Sequence, residues 1–297
     1  MNPSQGRIPA RRLEARLGHG LVLPGRAWCA DRPRALVAAV HGLGEHSGRY
    51  AALAADLVAA GCTVVSLDLP GHGETPGPRG DIPGWVALRD RAIHAMFNAG
   101  AGLPGEPEAA PRVLLGHSMG GLLALDFALA HPETLTAVIA SAPAFQGTIP
   151  PWWKLVLANV ARVATPTAGF PHGLDESGMS RDPEVLKGRA TDPLVHDRIS
   201  PRLYFDLMEA RQRVMLLARR LQVPCLVQQG AADRVVFPAG AKEFVAATGG
   251  MAKLVLYPDA YHEIYNEPAR DQAIPDLLRW LEGVLGGVAR SQGARGR

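Results

Sequence analysis

The apolar positions of this chain fall into short continuous runs separated by helical stretches. Residues 34–40 (RALVAAV) form an unbroken apolar run bounded by charge and then glycine, the pattern of a strand covered on both faces. Residues 62–69 (CTVVSLDL), 113–115, 137–141, 223–229 and 253–257 read as further strands. Two weaker strand signals, at 12–17 and 20–29, are separated by Gly18. Helical spacing runs over residues 50–60, stopped by Gly61, and over 83–98, with Pro83 in its first turn. It returns at 121–130, stopped at His131-Pro132, and at 202–219, 238–248 and 268–285. Strands alternating with helices predict an α/β protein with a mostly parallel, eight-stranded sheet and helices on both faces. Ligands of such sheets bind at the carboxyl ends of the strands.

The alternation breaks between residues 145 and 200, a stretch rich in Pro, Gly and Trp with one helical piece and no clear strand. Residues 1–144 and 201–297 then form one core, and 145–200 an insertion placed to cap the strand ends before the last two strands. On a helix over residues 152–163, Trp152, Trp153, Val156, Leu157, Val160 and Val163 share an arc of about 140°, with Leu155 the exception. Lys154, Asn159 and Arg162 fall elsewhere. Such a face suits an acyl chain, a bilayer surface, or simple packing on the core.

Composition narrows the class. The 297 residues are 47% hydrophobic, enough for a sizeable core. A net charge of +3, with no alternation of basic and aromatic residues, gives no reason to expect nucleic acid. Cys29, Cys62 and Cys225 form neither a disulfide framework nor a metal-ligand spacing, and Cys62 and Cys225 lie in apolar runs that predict buried thiols. The first residues lack an apolar signal region and no run reaches 18 apolar residues, so a cytoplasmic protein is expected.

The chemistry centres on residues 112–121 (RVLLGHSMGG), where an apolar run meets G-x-S-x-G and then a helix. This is the nucleophile elbow in its strand–turn–helix setting, presenting Ser118 and freeing the N–H of Met119 at a helix N-terminus. A serine needs a base held by a third group. Asp233 and His262 follow the strands at 223–229 and 253–257, in the expected order of acid then imidazole. Asp259 is a rival acid on the loop of His262, His117 reads as packing in the elbow strand, and Asp68 as structural. The loop H-G-L-G (41–44) makes the N–H of Leu43 the second oxyanion donor. The glycines 42, 44 and 48 have the wrong spacing for a dinucleotide fingerprint, and no phosphate-binding lysine loop exists, so no cofactor or metal is expected.

Taken together, H-G-L-G-E-H-S-G-R-Y (41–50), L-D-L-P-G-H-G-E-T (67–75), G-P-R-G (77–80), G-H-S-M-G-G (116–121), S-A-P (141–143), D-P-L-V (192–195), Q-G-A-A-D-R-V-V (229–236) and Y-P-D-A-Y-H-E-I-Y-N-E (257–267) resemble the monoacylglycerol lipase and lysophospholipase-like α/β-hydrolases of the serine aminopeptidase S33 type. The likeness spans residues 34–285. It implies the α/β-hydrolase fold and a cofactor-free serine hydrolase acting on monoacylglycerols or related single-chain esters. It implies Ser118, Asp233 and His262 as catalytic residues, Leu43 and Met119 as oxyanion donors, and Glu45 and Arg49 near the polar head group. Trp152 and Val156 of the insertion then serve the acyl chain, with transient membrane contact as a further role of this face. Arg189 and Tyr265 stand where animal members are expected to carry an aromatic residue and a second histidine. Lysophospholipids, small esters and peptides with a free N-terminus remain alternative substrates, and a non-catalytic lipid-binding protein is the alternative of another class. The sequence leaves the oligomeric state open.

Overall fold

The structure is a computed structural model that describes residues 8–18, 20–103, 105, 110–147 and 151–295. Residues 1–7, 19, 104, 106–109, 148–150 and 296–297, and the side chains of Lys154, 288–289 and 291–295, lie outside the described residues.

The central sheet has eight strands: β1 (Arg11–Arg16), β2 (Val22–Trp28), β3 (Ala35–Val40), β4 (Cys62–Leu67), β5 (Arg112–His117), β6 (Ala137–Ser141), β9 (Cys225–Gly230) and β10 (Ala252–Tyr257). A two-residue pair, β7 (Phe170–Pro171) and β8 (Arg198–Ile199), lies apart from it in the insertion. The order across the main sheet is β1-β2-β4-β3-β5-β6-β9-β10. β2 is antiparallel to both of its neighbours, and every other pairing is parallel.

Strand periodicity builds two cores. On β3, Leu36, Ala38 and Val40 face one layer while Ala35, Val37 and Ala39 face the other. The first layer is filled from α2 (Trp85–Ala101), α3 (Met119–Ala130), α6 (Pro201–Leu217) and α7 (Pro238–Ala247). The second is filled from α1 (Ala51–Ala59) and α8 (Arg270–Arg295). Both faces of β3, β4, β5, β6 and β9 are therefore covered, which is why they read as continuous apolar runs. Cys62 and Cys225 are buried, as their setting predicts.

Between β6 and β9 the chain forms α4 (Trp152–Ala164), α5 (Pro183–Thr191) and α6. The sequence reading has one helical piece where the structure has both α4 and α5. The signal for α5 is local: Asp182 caps it, accepting the N–H of Glu184, and Pro183 occupies its first turn. The insertion rests on the carboxyl-end loops. The N–H of His196 donates to the Gly44 carbonyl at 2.9 Å, and the N–H groups of His262 and Glu263 donate to Gly178 and Met179 at 3.3 and 2.8 Å.

The apolar face of α4 points outward. Trp152, Val156, Val160 and Val163 are 76%, 55%, 61% and 84% exposed, while Leu155, Ala158 and Ala161 are half-buried. The smaller inner residues let α4 lie on α6, where Arg162 stacks over Phe205 at 5.0 Å. Of the uses open to this face, packing on the core is not what the structure has.

Candidate active site

The turn from β5 into α3 is held in a strained shape. Ser118 has φ 53° and ψ −118°, in a region that L-residues rarely adopt. A Cβ on Gly116 would lie 2.1 Å from the Gly120 carbonyl oxygen, and one on Gly120 would lie 2.3 Å from that of Val40. Only glycine fits at either position. The Ser118 N–H donates to Ser141 at 2.9 Å, and its carbonyl accepts from Leu122 and Ala144, each at 3.0 Å. These bonds fix the turn while Ser118 itself stays half-exposed between buried neighbours.

Asp233 and His262 meet. The Nδ1–H of His262 donates to Asp233 Oδ2 at 2.8 Å, and both side chains are buried. Asp233 is fully engaged as an acceptor: its Oδ1 takes the N–H groups of Val235 and Val236 at 2.8 and 2.9 Å, and its Oδ2 also takes Gln229 Nε2 at 2.8 Å. Four donors hold the side chain in one orientation. The other ring nitrogen of His262 and the hydroxyl of Ser118 carry no hydrogen bond to a described residue. The His262 ring lies 4.7 Å from that of His117, the residue before Ser118. The rival Asp259 is exposed. His117 packs in the strand, with Nδ1 3.2 Å from Ser141 Oγ, and burial followed by the charge of His262 pushes its pKa down to about 4. Asp68 is structural, accepting the N–H groups of Ser47 and Glu74, each at 2.8 Å.

The loop after β3 brings Gly42 against the serine: a Cβ there would lie 3.2 Å from Ser118 Cβ. Both polar groups of Gly42 are tied. Its N–H donates to Glu45 Oε1 at 2.6 Å, and its carbonyl accepts His41 Nδ1–H at 2.8 Å. The tautomer of His41 follows from Leu69, whose N–H donates to Nε2 at 2.9 Å and leaves Nδ1 as the protonated nitrogen. Burial lowers the pKa of His41, keeping it neutral. Because N–H and C=O point oppositely across a trans peptide, fixing the Gly42 carbonyl fixes the direction of the Leu43 N–H. Neither Leu43 nor Met119 donates its N–H to a described acceptor.

Glu45 and Arg49 are tied into a network of ion pairs and hydrogen bonds. Glu45 is buried, bonded to Gly42, to Arg49 Nε at 3.0 Å and to the Tyr50 hydroxyl at 3.3 Å. Burial raises its pKa, but His117, Arg49 and the Gly42 N–H more than offset this and hold it below the usual carboxylate value. Both residues also line a small pocket with Tyr50, Leu53, His117, Glu263, Tyr265 and Asn266. Sequence reasoning missed the His41 anchor, Gln229 and Glu263. Glu263 directly follows His262 but is recognisable only by partners remote in sequence, Arg49 and Arg189. Among the described residues no group of three or more His, Cys, Asp or Glu side chains could hold a metal ion.

Comparison with known proteins gives the family. A family model described as serine aminopeptidase, S33, matches residues 31–269. A monoacylglycerol lipase of Mycolicibacterium smegmatis is 34% identical over 87% of this chain and 92% of its own length. The phospholipase YtpA of Bacillus subtilis is 31% identical over 82% of this chain and 93% of its own. The crystal structure of a Paleococcus ferrophilus monoacylglycerol lipase superposes with a TM-score of 0.79 at 30% identity, covering 93% of this chain and 99% of that one. The chain belongs to the serine aminopeptidase S33 family and, within it, to the monoacylglycerol lipase-like ester hydrolases of the α/β-hydrolase fold.

Proposed function

We propose that this protein is a monoacylglycerol lipase, releasing a fatty acid from a single-chain glycerol ester through an acyl-enzyme. Ser118 attacks the ester carbonyl and His262 takes its proton, then returns it to the leaving glycerol. Asp233 holds the imidazole in the reactive tautomer, and the N–H groups of Leu43 and Met119 receive the oxyanion. Water then attacks the acyl-enzyme by the same route in reverse. The observation that carries this reading is the buried His262–Asp233 bond of 2.8 Å beside a strained, half-exposed serine.

The pocket beside His117 favours a neutral head group over a phosphate. Its one arginine, Arg49, is already paired with Glu45 and Glu263, so no unpaired cation among the described lining residues awaits a phosphate. A lysophospholipid is the second reading, favoured by the likeness to phospholipase YtpA. Trp152 and Val156 are assigned to the entrance for the acyl chain, on a face able to touch a bilayer. No described helix is long and apolar enough to cross one.

The test is a panel of monoacylglycerols, lysophospholipids and p-nitrophenyl esters across chain lengths, run with the native chain and with Ser118→Ala. Monoacylglycerol turnover that vanishes in Ser118→Ala, with thermal unfolding nearly unchanged, is the expected result. Faster turnover of lysophospholipids would transfer the assignment to the second reading. A native chain that fails to react with a fluorophosphonate probe would make it a non-catalytic lipid binder.

A further inference from the structure

Four charged side chains from distant parts of the sequence form a continuous buried row beside the His262 loop. Arg189 Nη1 donates to Glu263 Oε1 at 2.8 Å, and Arg49 Nη2 donates to Glu263 Oε2 at 2.5 Å. Arg49 Nε donates to Glu45 Oε2 at 3.0 Å, and Glu45 Oε1 accepts the Gly42 N–H at 2.6 Å. The side chains of Arg189, Glu263 and Glu45 are no more than 5% exposed and that of Arg49 is 11% exposed. One end of the row is α5 in the insertion. Its middle is the residue after His262, and its other end is the peptide before Leu43. The signs alternate and cancel: Arg189 and Arg49 positive, Glu263 and Glu45 negative.

We propose that Arg189 is a positioning residue for catalysis. It grips Glu263 from the insertion and so fixes the loop that bears the imidazole. Through Arg49 and Glu45 the same grip reaches the Gly42–Leu43 peptide. Its guanidinium touches none of the reacting atoms, and its other contact is Glu176 of the insertion, with Arg189 Nη2 3.1 Å from Glu176 Oε2. The proposal rests on the roles given above to Ser118, His262 and Leu43.

A staple that merely held the insertion down would be redundant here. Arg181 bonds Glu267 at 2.9 Å, Ser180 bonds the Asn266 carbonyl at 3.0 Å, and His196 bonds Gly44 and Gly71. What those fastenings do not supply is charge balance around Glu263. Removing Arg189 alone leaves an excess buried negative charge between the imidazole loop and Arg49, whereas removing Arg189 and Glu263 together leaves none.

The experiment is a double-mutant cycle of Arg189→Met and Glu263→Gln, with Arg189→Lys as the conservative variant. Steady-state hydrolysis of p-nitrophenyl butyrate and the rate of fluorophosphonate labelling are measured on each. Arg189→Met is expected to lower kcat and the labelling rate about 10-fold or more, with KM within about 2-fold. The double variant is expected to recover at least about half of that loss on a logarithmic scale, and Arg189→Lys to recover part of it. A kcat for Arg189→Met within about 2-fold of the native value, or additive losses in the double variant, would overturn the proposal. Should Arg189→Met fail to fold, Glu263→Gln decides alone: it strands two guanidinium groups without their shared anion, and an unchanged kcat would refute the row's part in catalysis. Ser118→Ala is run alongside. Retained activity there defeats the ester-hydrolase reading itself, whereas a dead Ser118→Ala with native-like Arg189 variants defeats only the positioning role.

Discussion

Asp233 presents one oxygen to the imidazole of His262 at 2.8 Å and the other to two backbone N–H groups in its own loop. The second set of bonds makes a clean substitution possible. In Asp233→Asn the side-chain carbonyl can keep the Val235 and Val236 N–H groups, while the amide faces His262, imposing the wrong tautomer, and Gln229, whose unpartnered Oε1 can turn to accept it. We expect kcat to fall by about 10,000-fold. Circular dichroism should show the native fold, because the loop keeps its internal bonds. A loss below about 10-fold would remove Asp233 from the mechanism.

His41 never reaches the substrate side of its loop, yet it sets the direction of the Leu43 N–H through the Gly42 carbonyl. His41→Ala should therefore lower kcat by up to about 100- to 1,000-fold, the range for losing one oxyanion donor. Affinity for a trifluoromethyl ketone analogue should fall in parallel, because it too presents a tetrahedral oxyanion. Stability should drop by about 1–3 kcal/mol, since the Leu69 N–H loses its buried acceptor. Weakened folding with unchanged analogue affinity would reduce His41 to a packing residue.

Stability should depend on pH through the buried His117 and the half-buried His196. His117 and His196 are each pushed down to about 4, in both cases chiefly by burial. Unfolded, each titrates near about 6.5. Between about pH 6.5 and 4 the unfolded chain therefore binds protons that the folded chain refuses, and stability falls with pH. It is fully present above about 6.5. His196→Gln keeps an amide donor for Gly71 but cannot titrate, so its denaturation midpoint should fall less steeply from pH 7 to pH 4.5. An identical slope in the variant would exclude His196 from the effect.

The outward face of α4 should govern access to aggregated substrate. Each apolar side chain transferred from water contributes about 1.5–3 kcal/mol. Trp152→Glu with Val156→Glu should thus cut binding to phosphatidylcholine–phosphatidylglycerol vesicles by at least about 10-fold. Turnover of vesicle-borne monoacylglycerol should fall with it, while hydrolysis of dissolved p-nitrophenyl acetate stays native. Equal losses on both substrates would mean that these residues act inside the site.

Much of this molecule is written locally. The strands at 35–40 and 137–141 are legible because each residue of a doubly covered strand must be apolar, whichever strands lie beside it. The elbow is legible because Gly116 and Gly120 have no room for a Cβ, and Asp233 and His262 because turns after parallel strands collect at one edge of the sheet. The tertiary structure alone decided the strand order and the direction of α4. A helical wheel gives the angle between side chains but not which side meets the core, and small Ala158 and Ala161 won the inner side from Trp152 and Val160. It alone joined Arg189 to Glu263 across 74 residues and Arg49 to Glu263 across 214. Such pairings have no period or turn chemistry to announce them. Charge marks a residue as needing a partner when buried, and only the folded chain supplies which one.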